Sequence, residues 1–217
     1  MTRKKQCFYS LIITSLLFIA RCTPPVTFDK PQPPNSKELT AFPKRLQGKY
    51  LSQNRASILI ISDKSVMRIY SFDIKMHKDS LSDNYRLDRD TLTEISSGKK
   101  LTATVASDTI FSQNEETDTL FYISETNVLK KFKGYYFLNT LYDKNEWSLQ
   151  RLSLSNGVLT LSEISDTLHI NQLRELTETP DDTICSNFKL NQDQFKKFIN
   201  ENGFDQSEQF TRLSGKN

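Results

Sequence analysis

Leu152-Ser153-Leu154-Ser155-Asn156-Gly157-Val158-Leu159-Thr160-Leu161 is the stretch that decides the fold. Asn-Gly is the strongest short hairpin signal, because both central positions of the tight turn need positive φ. With Asn156-Gly157 at the turn, Leu154 faces Leu159 and Leu152 faces Leu161, all on one side of the ribbon. Ser153 with Thr160 and Arg151 with Ser162 take the other side, so this register buries one face and wets the opposite one. Upstream, Gly134-Tyr135-Tyr136-Phe137-Leu138-Asn139-Thr140-Leu141-Tyr142 reads as a strand, turned at Asp143-Lys144-Asn145 into a second strand from Glu146 to Leu154. In that pairing Trp147 falls opposite Tyr142.

Further strands are expected at 57–61, 66–76, 101–106, 109–111 and 119–124, where apolar runs or partial alternation occur. The tripeptide Asp-Thr-Leu/Ile recurs at 90, 108, 118, 166 and 182, with Asp79-Ser80-Leu81 as a near relative. Aspartate bonds nearby backbone N–H groups in turns, and threonine before a branched residue favours extended chain. Each copy therefore reads as a turn feeding a strand, including a strand at 167–170. The spacing is too uneven for a repeat protein, and no Asp-x-Asp-x-Asp-Gly calcium loop is present. Only 191–202 reads as helix, with Phe195, Phe198 and Ile199 on one face and Gly203 at its stop. The expected fold class is all-β: an antiparallel meander, a curved sheet or partly closed barrel, with one short C-terminal helix.

The N-terminus speaks of location. Arg3-Lys4-Lys5 precedes thirteen apolar-rich residues, Phe8 to Ala20, followed by Arg21-Cys22-Thr23-Pro24-Pro25. At 1.5 Å per residue that run cannot cross ~30 Å of hydrocarbon, so it reads as an export signal over 1–21. It resembles the signal of a bacterial lipoprotein, with Arg21 standing where such signals usually carry a small residue. The resemblance implies that Cys22 is acylated and becomes the new N-terminus. Thr23, rather than aspartate, implies sorting to the outer membrane. The chain as a whole resembles uncharacterised lipoproteins of the Bacteroidota type, through Lys133-Gly-Tyr-Tyr-Phe-Leu-Asn139, Trp147 and Phe195-Lys-Lys-Phe198-Ile199 with Asn202-Gly203-Phe204. That resemblance brings no activity and no site residues.

Removing the signal changes the electrostatics. The net charge of +3 includes four cations before Cys22, and without them 25 basic side chains face 26 acidic ones. A nearly neutral domain offers no basic patch for nucleic acid. Cys7 lies in the signal, which leaves Cys185 without an intramolecular partner unless Cys22 is free to bridge it. Six of seven prolines fall between 24 and 43, so 22–45 reads as an extended lipid-bearing tether reaching several nanometres at about 3.1 Å per residue. The domain proper is 46–217.

No nucleophile elbow, zinc-protease helix or phosphate loop is present. His77 and His169 lack companions at metal-binding spacing, so no catalytic residue, metal or other cofactor is expected. The aromatic strand at 135–137 has rings on both faces. Tyr135, Phe137 and Trp147 are accordingly the candidate surface for an envelope protein partner or an apolar ligand. The expected function is a non-catalytic envelope binding or structural module, with carriage of an apolar molecule in a barrel cavity as the alternative. An envelope hydrolase is a third possibility, which requires His77 or His169 to meet a carboxylate or hydroxyl in a cleft.

Overall fold

The computed structural model describes residues 26–213 apart from 82 and 181–186. Cys22, Cys185, the signal stretch and the Asp-Thr-Ile copy at 182 lie outside the described residues. Fifteen strands form one curved, unclosed sheet that is antiparallel nearly throughout. The decisive hairpin is β12 (Glu146–Ser155) and β13 (Val158–Glu163), with Leu154 opposite Leu159 and Leu152 opposite Leu161. Asn156 and Gly157 both have positive φ, 50° and 78°.

From β13 the sheet continues through β15 (Gln206–Arg212), β3 (Gly48–Ser52), β4 (Ser57–Ile61) and β5 (Ser65–His77) to β9 (Thr109–Tyr122). On the other side of β12 come β11 (Tyr135–Asp143) and β10 (Asn127–Phe132), whose outer edge takes the short β2 (Glu38–Leu39). This ribbon curls around a core of Tyr50, Leu59, Phe121, Tyr136, Leu138, Leu152, Leu159 and Phe210. Beyond that core β5 and β9 run on together and meet β8 (Lys100–Ala106), β7 (Thr91–Glu94) and β6 (Tyr85–Asp88). The resulting arm has its own small core of Leu92, Leu101, Ala103 and Ile110, flanked by Ile74 and Met76.

The convex face of β11 and β12 is covered by a second core. Alternate residues point there, including Phe137 and Leu149, and they meet α1 (Thr167–Thr177) and α2 (Gln192–Asn200) through Ile170, Leu173, Phe195, Phe198 and Ile199. The far face of the aromatic strand is thus closed by helices. Ser162, expected to be wet, is 1% exposed.

Helix α2 is where the spacing of its aromatics placed it. Asn191 caps it, and Gln194 returns a bond to the Asn191 N–H in a capping box. Helix α1 corrects the strand expected at 167–170. The Asp166 side chain accepts from Leu168 N as an N-cap, and Ile170, Leu173 and Leu176 then fall on one helical stripe. Asp-Thr-Leu is therefore not uniform punctuation. It opens strands at 90 and 108, opens a helix at 166, and lies inside β9 at 118; Asp79-Ser80 sits in a 3₁₀ turn. A second correction concerns Trp147, which faces Leu141 because the register shifts between Leu141 and Asp143 and leaves Tyr142 out of step.

The expected tether over 22–45 is corrected for its described part. Thr27 and Phe28 form β1, beside Trp147 of β12 and parallel to β14 (Asn187–Phe188). Gln32 is fully buried, where its N–H donates to Asn139 Oδ1 at 2.6 Å and Asn139 Nδ2 donates back to the Gln32 carbonyl at 2.8 Å. Lys130, 6% exposed, donates to the carbonyls of Pro31 and Pro33 at 3.0 and 3.1 Å. The chain then passes the β10 edge and sends Phe42 and Leu46 into the inner core, with the Phe42 N–H bonded to Asp63 O. Prolines do not prevent this packing, because each keeps a backbone carbonyl that accepts bonds.

Candidate functional site at the mouth of the curved sheet

One end of the curl is open. The concave side chains of β11 and β12 there are Thr140, Ser148 and Gln150, and they border a cleft of ≈ 410 Å³ with Val26, Leu120, Leu149, Glu163 and Ile164. Leu120 reaches this position from the irregular pairing in which Met67 faces Thr119 and Val66 faces Phe121, which leaves Leu120 as the extra residue of β9. A smaller recess of ≈ 230 Å³ adjoins at Glu163 and is lined by Arg68, Leu161 and Glu208.

Arg68 gives the mouth its charge. It belongs to the inner-facing phase of β5 with Val66 and Tyr70, opposite Leu59. Its side chain is 12% exposed and ion-pairs with Glu208. Nη1 donates to Tyr70 Oη at 3.2 Å, and the guanidinium lies 5.4 Å from the Phe210 ring centroid. Burial alone would lower its pKa, but the bonds to Tyr70 and Glu208 outweigh burial and raise it. The charge is therefore permanent and largely internally balanced. Gln150 Nε2 donates to Glu163 Oε1 on the same rim.

The residues nominated from sequence lie on the convex side. Phe137 is fully buried, 5.2 Å centroid to centroid from Phe195 in an edge-on contact, and offers no exposed surface. Tyr135 is half-buried, with the Arg151 guanidinium 5.0 Å from its ring and 4.7 Å from the Phe204 ring. Burial pushes the Arg151 pKa down, and Tyr135 partly opposes this. Trp147 is half-buried beside Phe28. These three residues belong to the helix-covered core and its border, and none of them lines the mouth, which takes Val26, Leu149 and Ile164 from that same side.

From the rim the chain runs Glu163-Ile164-Ser165-Asp166 into α1, and there His169 has companions the sequence reading missed. His169 Nδ1 lies 3.9 Å from Asp205 Oδ2, with the two side chains 14% and 18% exposed. Ser165 N and Oγ both donate to the Asp205 carboxylate, at 3.0 and 3.2 Å. Asp166 and His169 stand three apart on a helix, a spacing hidden while 167–170 is read as strand. His77 is exposed, accepts from Asp79 N, and stands 3.4 Å from the Asp79 carboxylate. Arg68 did leave a signal in the sequence, as a charge in the apolar phase of an alternating strand.

Comparison with family models, with curated proteins and with solved structures finds no match for this chain.

Proposed function

We propose that the chain is a non-catalytic binding module of the bacterial cell envelope, held to a membrane by acylated Cys22 and engaging its partner through the open mouth. Location rests on the charged, apolar and cysteine-proline order of residues 3–25. The observation that carries binding over carriage is the filled interior: Tyr50, Tyr136, Phe121 and Phe210 occupy the space where a barrel-borne ligand would sit. What stays open is a shallow rim with both apolar and charged groups. Hydrolysis by a serine is disfavoured because Ser165 Oγ donates to Asp205. The carboxylate stands between hydroxyl and imidazole, whereas general-base activation needs the imidazole in the middle.

Acylation at Cys22 leaves four residues before Val26, which span at most about 14 Å. The domain would then ride close to the bilayer rather than several nanometres above it. Two readouts test this function. Labelled palmitate is expected in the full chain and absent from Cys22→Ser, which should leave the membrane fraction. Native mass spectrometry of the detergent-extracted protein is expected to show the lipid alone. An additional mass that disappears in Trp147→Ala would replace binding by carriage of an apolar molecule.

A further inference from the structure

We propose that Asp166, His169 and Asp205 form a binding site for one divalent transition-metal ion of the zinc type. One donor atom from each residue can be chosen so that all three lie within 4.8 Å of one another. His169 Nδ1 is buried and has no hydrogen-bond partner. A buried imidazole nitrogen ordinarily finds a partner, and a hydrogen bond to Asp205 would need about 2.8–3.0 Å rather than the 3.9 Å present. An ion between these atoms accounts for that spacing better. Zinc binds nitrogen and oxygen at about 2.0–2.2 Å, which sets tetrahedral donors about 3.3–3.6 Å apart. Closing the cluster therefore takes shifts of roughly an ångström or less.

The two carboxylates are already oriented from behind, as metal ligands usually are. Ser165 holds Asp205 through N–H and hydroxyl, and Leu168 N holds Asp166 Oδ1 at 2.9 Å, leaving Asp166 Oδ2 for the ion. The positive end of α1 opposes a cation by about half a charge, which two carboxylates outweigh. One imidazole with two carboxylates suits zinc and its neighbours in the transition series, whereas calcium and magnesium prefer oxygen alone. Three protein donors leave a coordination position open, and Asp166 is exposed, so that position faces solvent. The ion would join the start of α1 to the loop entering β15.

The experiment is a calorimetric zinc titration of the chelator-stripped, thiol-alkylated full chain in detergent, alongside ¹⁵N-histidine NMR. One zinc ion per chain is expected, with the metal-induced shift at His169 Nδ1 and a rise in thermal midpoint. His169→Gln and Asp205→Asn should each weaken binding at least about tenfold. Asp166→Asn keeps the helix cap, so weaker binding with an unchanged metal-free midpoint separates ligand loss from misfolding. His77→Gln should bind like the parent chain. Equal affinity in His169→Gln, a shift on His77 instead, or no zinc uptake by the folded chain would each overturn the site.

Discussion

Two residues show how little freedom the packing leaves. Gly203 has no need of positive φ; its role is steric, because a Cβ there would sit 2.2 Å from the Phe198 ring. Gly203→Ala is expected to lower stability by about 1–3 kcal/mol in urea denaturation, the usual range for overpacking. Lys130 is the opposite case, a polar group that two carbonyls justify in a buried site. Burial lowers its pKa, with Glu38 opposing and Lys30 adding to the effect. The unfolded chain then holds that proton to higher pH than the folded one. Stability from this group therefore rises as pH climbs from the lowered value toward the ordinary lysine pKa. Lys130→Met should lose that alkaline rise and cost about 2–3 kcal/mol near neutral pH, since both carbonyls lose a charged donor. Denaturation midpoints of both chains across the alkaline range check the sign.

At the scale of elements, capping decides identity where composition does not. Asp166-Thr167-Leu168 and Asp108-Thr109-Ile110 are nearly the same word, yet one begins α1 and the other β9. The difference lies downstream: Ile170, Leu173 and Leu176 recur at helical spacing, while Ile110 and Ser112 alternate toward the arm's core. The Asn156-Gly157 hairpin was legible because its turn chemistry and alternation agree. The Trp147 partner was not, because a bulge near Tyr142 carries no sequence mark. Helix α2 was legible from three apolar residues, and its cap gives a direct test. Asn191→Ala removes the oxygen that accepts from Gln194 N at 2.9 Å and should cost about 1 kcal/mol. Hydrogen exchange should show the loss first in the opening turn of α2. Local pattern marked β4, β5, β8, β11, β12 and β13 but neither β3 nor β15, and it split the continuous β9 into 109–111 and 119–124. Nor could it reveal the mouth, where Arg68, Gln150, Glu163 and Glu208 meet from four strands.

For the whole molecule, the two inner-face cores behave as separate supports. The arm's core is small, so Leu92→Ala, at a fully buried site, should cost about 2–5 kcal/mol and open the arm before the rest. Exchange protection lost across β6, β7 and β8 while β11 and β12 stay protected is the expected pattern. The acylation proposed at Cys22 makes a second prediction. Trp147, the chain's one tryptophan, lies beside Phe28, so it should transfer energy efficiently to dansyl-headgroup lipid in vesicles carrying the acylated protein. Inserting about 20 Gly/Ser residues before Val26, with a span near 25 Å, should weaken that transfer. Proline content read alone pointed to a detached tether; Phe28, Gln32 and Phe42 contradict it because each is buried against a distant strand.

That docking has a consequence for the order in which the molecule can be assembled. The Gln32–Asn139 exchange spans 107 residues, and Phe28 must also meet Phe188 near the far end. A ribosome delivers the first partners long before the second. Residues 28–32 therefore cannot complete these contacts until residues 139 and 188 have been made, whereas Phe42 and Leu46 have partners as near as Asp63 and Tyr50. A factor that seized residues 28–32 early would hold both of these long-range contacts open.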